Sequence, residues 1–120
     1  MISWFKRREL GDQGEDLAAA ALKKQGYKIL ERNYNTPLGE IDLIARHQGC
    51  LVFIEVKTRK SLRFGRPEEG VTAAKQRRLQ RLADYYMKQK RLKEQPMRFD
   101  VVAITILDHG PDLEIIKGAF

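Results

Sequence analysis

From Gly39 to Thr58 the chain alternates in a way that only a strand pair explains. Two runs rich in Ile, Val, Leu and Phe flank a polar break containing Gly49, the pattern of a β-hairpin. On the second run, a period of two puts Leu51, Phe53, Glu55 and Lys57 on one face and Val52, Ile54 and Val56 on the other. The first of these faces starts apolar and ends in two charges. A two-residue turn at Gln48 and Gly49 pairs His47 with Cys50. That register sets Asp42 across from Glu55 and Glu40 across from Lys57. A slip of one residue would send Asp42 to the other face.

The rest of the chain supplies elements to pack on this hairpin. Residues 1–10 read as a loose arm, in which Trp4 and Phe5 stand beside Lys6, Arg7 and Arg8. From Asp12 the run D-Q-G-E-D-L-A-A-A-A-L-K-K-Q-G predicts a helix. Asp12 and Glu15 have the spacing of a capping box, lysines fill the last turn, and Gly26 terminates it. Tyr27 to Asn33 is a first strand, and Asn35, Pro37 and Gly39 turn it into the hairpin. Lys60 to Gly70 is a polar loop that, with Arg59, carries Arg63 and Arg66. From Val71 to about Glu94 the period becomes helical, with Leu79, Leu82, Ala83 and Tyr86 as the apolar stripe, and Pro96 stops it. Arg98 to Leu107 is an apolar strand, and a D-H-G-P-D turn leads to a short partner, Leu113 to Ile116. The order α-β-β-β-α-β-β predicts an α/β fold with a central mixed sheet of four to five strands flanked by helices. Residues 1–120 form one domain of ordinary size.

Composition narrows the class. The apolar share of 42% suits a globular chain. A net charge of +7 and a pI near 9.7 suit a polyanionic partner, nucleic acid being the commonest, and equally a surface that is basic only for solubility. The single cysteine, Cys50, excludes an intramolecular disulfide and the paired cysteines of a zinc site, and reads as an inert buried thiol. No apolar run is long enough to cross a bilayer, and Met1 to Arg8 lacks the apolar core of a secretory signal. Cytoplasmic residence without a membrane partner is the expectation.

Candidate chemistry follows from the hairpin. Two ionised carboxylates about 5 Å apart at an effective dielectric near 20 repel by roughly 3 kcal/mol. A divalent cation or a shared proton would offset that repulsion. Glu15 is read either as a helix cap or as a further acidic group near the hairpin. Asp100 reads as an ordinary edge charge at the start of its strand, and His109 as a turn residue. Lys75, one turn before Leu79 on the inward stripe, can point with its neighbour Gln76 towards the hairpin's charged end. Around the stripe, Arg77, Arg78 and Arg81 stand on a face that is either merely solvated or aimed at a phosphate backbone. Two function classes stand on composition alone: a nucleic-acid-binding module, and a protein-interaction adaptor whose charge is only solubilising.

The order and spacing of G-E-I-D and E-V-K resemble the PD-(D/E)xK nuclease superfamily, which includes Holliday-junction resolvases and many restriction enzymes. Over nearly the whole chain, G-E-x-x-A, N-Y-x-T-P-x-G-E-I-D-L-I-A, F-I-E-V-K-T-R, F-G and K-Q-x-R-L resemble the YraN-like family of small bacterial proteins. The resemblance implies a restriction-endonuclease-like core and a Mg²⁺-dependent endonuclease acting on structured or branched DNA, with Mn²⁺ as a substitute. Its alternative is a binding module that keeps the scaffold without turnover. By position it implies that Asp42, Glu55 and the main-chain carbonyl of Val56 ligate the metal and that Lys57 orients or helps deprotonate the attacking water. Glu15 would complete the metal site from the helix, and Lys75 or Gln76 would match a polar residue of the second helix. Arg59, Arg63, Arg66, Lys75, Gln76, Arg77, Arg78 and Arg81 would bind the nucleic acid, and resolvase-like relatives imply a homodimer. Two departures stand out: Ile41 replaces the proline of the motif's name, and Glu40 adds a carboxylate placed to pair with Lys57 and keep it from water.

Overall fold

The computed structural model describes residues 4–60 and 71–120, with side chains from Gln13 onward in the first helix. Its elements are α1 (Trp4–Lys24), β1 (Lys28–Thr36), β2 (Gly39–His47), β3 (Cys50–Arg59), α2 (Ala73–Gln89), β4 (Met97–Leu107) and β5 (Gly110–Ile116). The five strands form one sheet in sequence order, antiparallel except where β3 meets β4. A parallel neighbour needs a crossover, and the segment containing α2 supplies it. The expected α/β order and mixed sheet are thus found.

The alternation read along β3 sorts the two layers. Val52 and Ile54, with Leu43, Ala45, Val102 and Ile104, pack under Ala18 and Leu22 of α1. On the other face, Leu51, Phe53 and Ile44 pack under Leu79, Leu82, Ala83 and Tyr86 of α2, the four residues of the predicted stripe. The hairpin turn is tight because Gln48 and Gly49 both take positive φ, 50° and 76°, the two-residue geometry that matches strand twist. His47 pairs with Cys50 and Leu43 with Ile54, as the register requires. Cys50 is half-buried against the α1-side core rather than fully enclosed. Among the described residues no helix is long and apolar enough to cross a membrane.

Several boundaries differ from the expectation. α1 begins at Trp4, about two turns before Asp12, so Asp12 is not a cap and Glu15 lies mid-helix. Nothing between Trp4 and Gly11 breaks a helix, and a glycine costs only about 1 kcal/mol, so the capping-box spacing was mimicked by two residues on a continuous helix. β1 runs on to Thr36, and the turn is confined to Pro37 and Leu38. The Thr36 hydroxyl accepts from the Leu38 and Gly39 amides and donates to the Gly39 carbonyl. α2 ends at Gln89 rather than Glu94. Arg91 takes the left-handed conformation (φ 53°), its N–H donates to Lys88, and the Leu92 N–H reaches back to Met87. This is a Schellman ending without glycine, which hid it from the sequence.

Gly14 explains how α1 comes so near the sheet. A Cβ there would lie 2.3 Å from the Thr58 hydroxyl oxygen. Overpacking costs about 1–3 kcal/mol, against about 1 kcal/mol gained in helix propensity. Gly14→Ala is therefore expected to lose about 1 kcal/mol in urea unfolding, and Thr58→Ala in the same chain to recover most of it. A Gly14→Ala protein as stable as wild type would deny the close approach.

Candidate metal and nucleic-acid site

β2 stays paired with β1 as far as Gly39, but its ladder with β3 ends at Leu43 and Ile54. Beyond that point the two strands part, and a side chain bridges them: Asp42 Oδ2 accepts the Val56 N–H at 2.8 Å. Asp42 and Glu55 are therefore not a directly paired couple, because the backbone ladder has already ended. Ile41 joins Ile44 on the α2 side while Leu43 lies on the α1 side, so the alternation breaks across Asp42.

The tight seat of Gly14 brings the next residue of α1 over the gap. Carboxylate oxygens of Glu15, Glu40 and Asp42 all lie within 4.8 Å of one another. Glu55, on β3, stands outside that group but lines the same cleft. Its Oε2 is enclosed with no hydrogen-bond partner among the described residues. Glu40, Asp42 and Glu55 line one cleft of about 220 Å³ with Gly39, Ile54, Arg78 and Leu79. The expected pairing of Glu40 with Lys57 does not form: with the strands parted, Glu40 turns to Glu15 and Asp42, and the carboxylates nearest in effect to Lys57 are Glu55 and Asp42.

Electrostatics follow from this crowding. Burial, with the charges of Glu15, Glu55 and Glu40, pushes the Asp42 carboxyl up to about 6 against the opposing pull of the Val56 N–H. Burial and the adjoining Lys75 amine push Lys57 down from the ordinary lysine range, while Glu55 and Asp42 act the other way. A site with three gathered carboxylates, an enclosed and unpartnered Glu55 oxygen in the adjoining cleft, and an aspartate reluctant to ionise has the donor chemistry of a hard divalent cation. The residues present fit Mg²⁺ or Mn²⁺.

The basic residues divide. Lys75, in the first turn of α2, meets Lys57, whereas the Gln76 side chain donates to the Val71 carbonyl at the helix entrance. Arg77, Arg78 and Arg81 are exposed on α2, and of these Arg78 borders the acidic cleft. Arg59 closes β3 half-buried, and Arg63 and Arg66 lie outside the described residues. His109 is the exposed turn residue expected, 3.6 Å from Asp112.

Sequence reasoning missed a second polar cluster, towards the other end of the strands. Asp100 is not an edge charge but fully buried. Arg98 grips it with Nε and Nη2, both at 2.8 Å; the Tyr27 hydroxyl donates at 2.7 Å and the Gly118 N–H at 3.0 Å. Arg98 Nη2 also faces His47 Nδ1 at 2.8 Å, and His47 Nε2 lies 3.2 Å from the Gln25 carbonyl. A donor at Nδ1 and an acceptor at Nε2 select neutral histidine with its proton on Nε2. Burial and Arg98 lower the His47 pKa in agreement. The available signal was Arg98 and Asp100 on one face of an otherwise apolar strand.

A family model described as "Uncharacterised protein family UPF0102" matches residues 14–104, which include every residue of the acidic cleft. Curated proteins named UPF0102 protein are similar along almost the full chain. The one from Syntrophotalea carbinolica is 47% identical over 116 residues, 97% of this chain and 94% of its own. That of Caldicellulosiruptor saccharolyticus is 47% identical over 118 residues, covering 97% and 100%. That of Moorella thermoacetica is 50% identical over 116 residues, covering 95% and 97%.

Proposed function

Starting from the fact that this chain belongs to the uncharacterised protein family UPF0102, whose name carries no chemistry, we propose a divalent-metal-dependent endonuclease acting on structured or branched DNA. The observation that carries this reading is the gathering of Glu15, Glu40 and Asp42 at the point where β2 leaves β3, with the enclosed Glu55 oxygen beside them. The resemblance to PD-(D/E)xK nucleases supplies the reaction class. When bound, Mg²⁺ would lower the pKa of a coordinated water and offset charge developing on the phosphate oxygens.

The chain's own residues do the rest. Asp42 and Glu55, with the Val56 carbonyl, and Glu15 from the helix would hold the ion. Lys57, displaced downward by burial and by Lys75, orients the attacking water and can accept its proton more readily than an exposed lysine. Arg78 at the rim of the cleft, with Arg77 and Arg81 along α2, offers guanidinium groups to the phosphates on either side of the bond to be cut.

The test is cleavage of labelled junctions, flaps and single strands in Mg²⁺ or Mn²⁺. Wild-type protein is expected to release product, and Asp42→Ala or Lys57→Ala to abolish it. Variant activity equal to wild type would overturn the reading. Salt-dependent binding without product at any metal concentration would leave the binding module instead.

A further inference from the structure

We infer that Glu40 is a direct ligand of the divalent cation, a role that the resemblance to PD-(D/E)xK nucleases does not give it. The inference rests on the metal-dependent reading above and adds to it. Register alone assigns Glu40 to Lys57, where it would neutralise the ammonium. The parting of β2 from β3 removes that option. What Glu40 meets instead is the pair Glu15 and Asp42, from a different element and from its own strand, with all three carboxylates mutually within 4.8 Å.

The backbone holds it there. Glu40 pairs with Asn35 of β1, and the adjoining turn is tied by the Thr36 hydroxyl to the Leu38 and Gly39 amides and the Gly39 carbonyl. Glu40 and Asp42 flank Ile41, whose side chain is locked in the α2-side core. Although the alternation breaks across Asp42, the carboxylates of Glu40 and Asp42 still meet, and Glu15 of α1 reaches both. Three negative groups brought so close by a rigid scaffold repel one another, and half-buried Glu55, whose Oε2 is enclosed with no hydrogen-bond partner among the described residues, lies in the same cleft on the strand opposite. With Glu40 beside Glu15 and Asp42, and Glu55 lining the same cleft, a bound ion would have more protein oxygens and fewer waters than Asp42 and Glu55 alone would give it.

The experiment is a Tb³⁺ titration followed by luminescence, with lifetimes in H₂O and D₂O to count bound waters and Mn²⁺ displacing the Tb³⁺. It uses the whole chain as wild type, Glu40→Gln and Asp42→Asn. Wild type is expected to bind Tb³⁺ and release it to Mn²⁺. Glu40→Gln is expected to bind at least tenfold more weakly and to carry at least one additional water on the ion, while unfolding in EDTA no more readily than wild type. The additional water separates ligation from a mere loss of nearby charge, which would weaken binding at constant hydration. If wild type binds and Asp42→Asn does not, but Glu40→Gln keeps the wild-type lifetime, the role of Glu40 is overturned and the metal-dependent reading stands. If wild type binds no ion, both fall.

Discussion

Asp42→Asn is expected to stabilise the metal-free protein at pH 8, by about 1–3 kcal/mol, although it removes the aspartate on which the proposed metal site centres. The sign follows from proton binding. The Asp42 carboxyl ionises at an ordinary 3.8 when unfolded and at about 6 in the folded chain, where burial and the charges of Glu15, Glu55 and Glu40 oppose ionisation. Between those pH values the folded state binds more protons, so stability falls as pH rises through the window. Below pH 3.8 the cost is absent, and above pH 6 it is complete, at roughly 3 kcal/mol as an upper value. Asparagine carries no charge to bury, and its carbonyl still accepts the Val56 N–H that Asp42 Oδ2 now holds. The gain should therefore shrink towards zero near pH 4.

Divalent metal is expected to reverse the ranking. Millimolar Mg²⁺ stabilises a protein that binds it only when folded by an amount that grows with the logarithm of metal concentration over Kd. Wild type should gain from Mg²⁺ and Asp42→Asn should not. Urea unfolding in EDTA at pH 8 and pH 4, then in Mg²⁺ at pH 8, measures all three quantities. An Asp42→Asn protein less stable than wild type in EDTA at pH 8 would show that the aspartate stabilises the fold without an ion, and the repulsion argument would fail.

The hairpin was legible because two local rules agreed: the Gln48–Gly49 turn set the register, and alternation along Leu51 to Val56 set the faces. The α2 stripe was legible for the same reason, with a period of 3.6 instead of two. What escaped was the interruption of a rule. The ladder from β2 to β3 stops at Leu43, and nothing in G-E-I-D marks where a strand leaves its neighbour, since the departure depends on the whole twisted sheet and on Asp42 capturing the Val56 amide. Extrapolating the register past Leu43 thus assigned Glu40 to Lys57 and missed its company with Glu15. The early start of α1 and the Arg91 ending of α2 escaped because each lacks its usual punctuation. Tyr27, His47, Arg98 and Asp100 escaped because contacts between residues so far apart in sequence leave no periodic trace.

That buried cluster carries the other large effect. Arg98→Met should cost about 3–5 kcal/mol, because it leaves the Asp100 carboxylate fully enclosed with no countercharge and only the Tyr27 hydroxyl and the Gly118 N–H as donors. The cost comes from stranding a charge rather than from losing a strong bond, and this distinction is measurable. Replacing both partners, Arg98→Met with Asp100→Leu, removes the stranded charge. The double variant should regain at least half of the loss, since apolar replacements of a buried pair are often close to neutral. Had the guanidinium mattered mainly through its stacking near Tyr27 and its contact with His47, the second substitution would add to the damage instead. Tb³⁺ affinity supplies the spatial control: Arg98 is level with Val52 in the β3–β4 ladder, whereas Lys57 is level with Ala103. A folded Arg98→Met protein should bind the ion as wild type does. A double variant less stable than the single one would assign the cluster's contribution to packing around Arg98 rather than to the burial of Asp100.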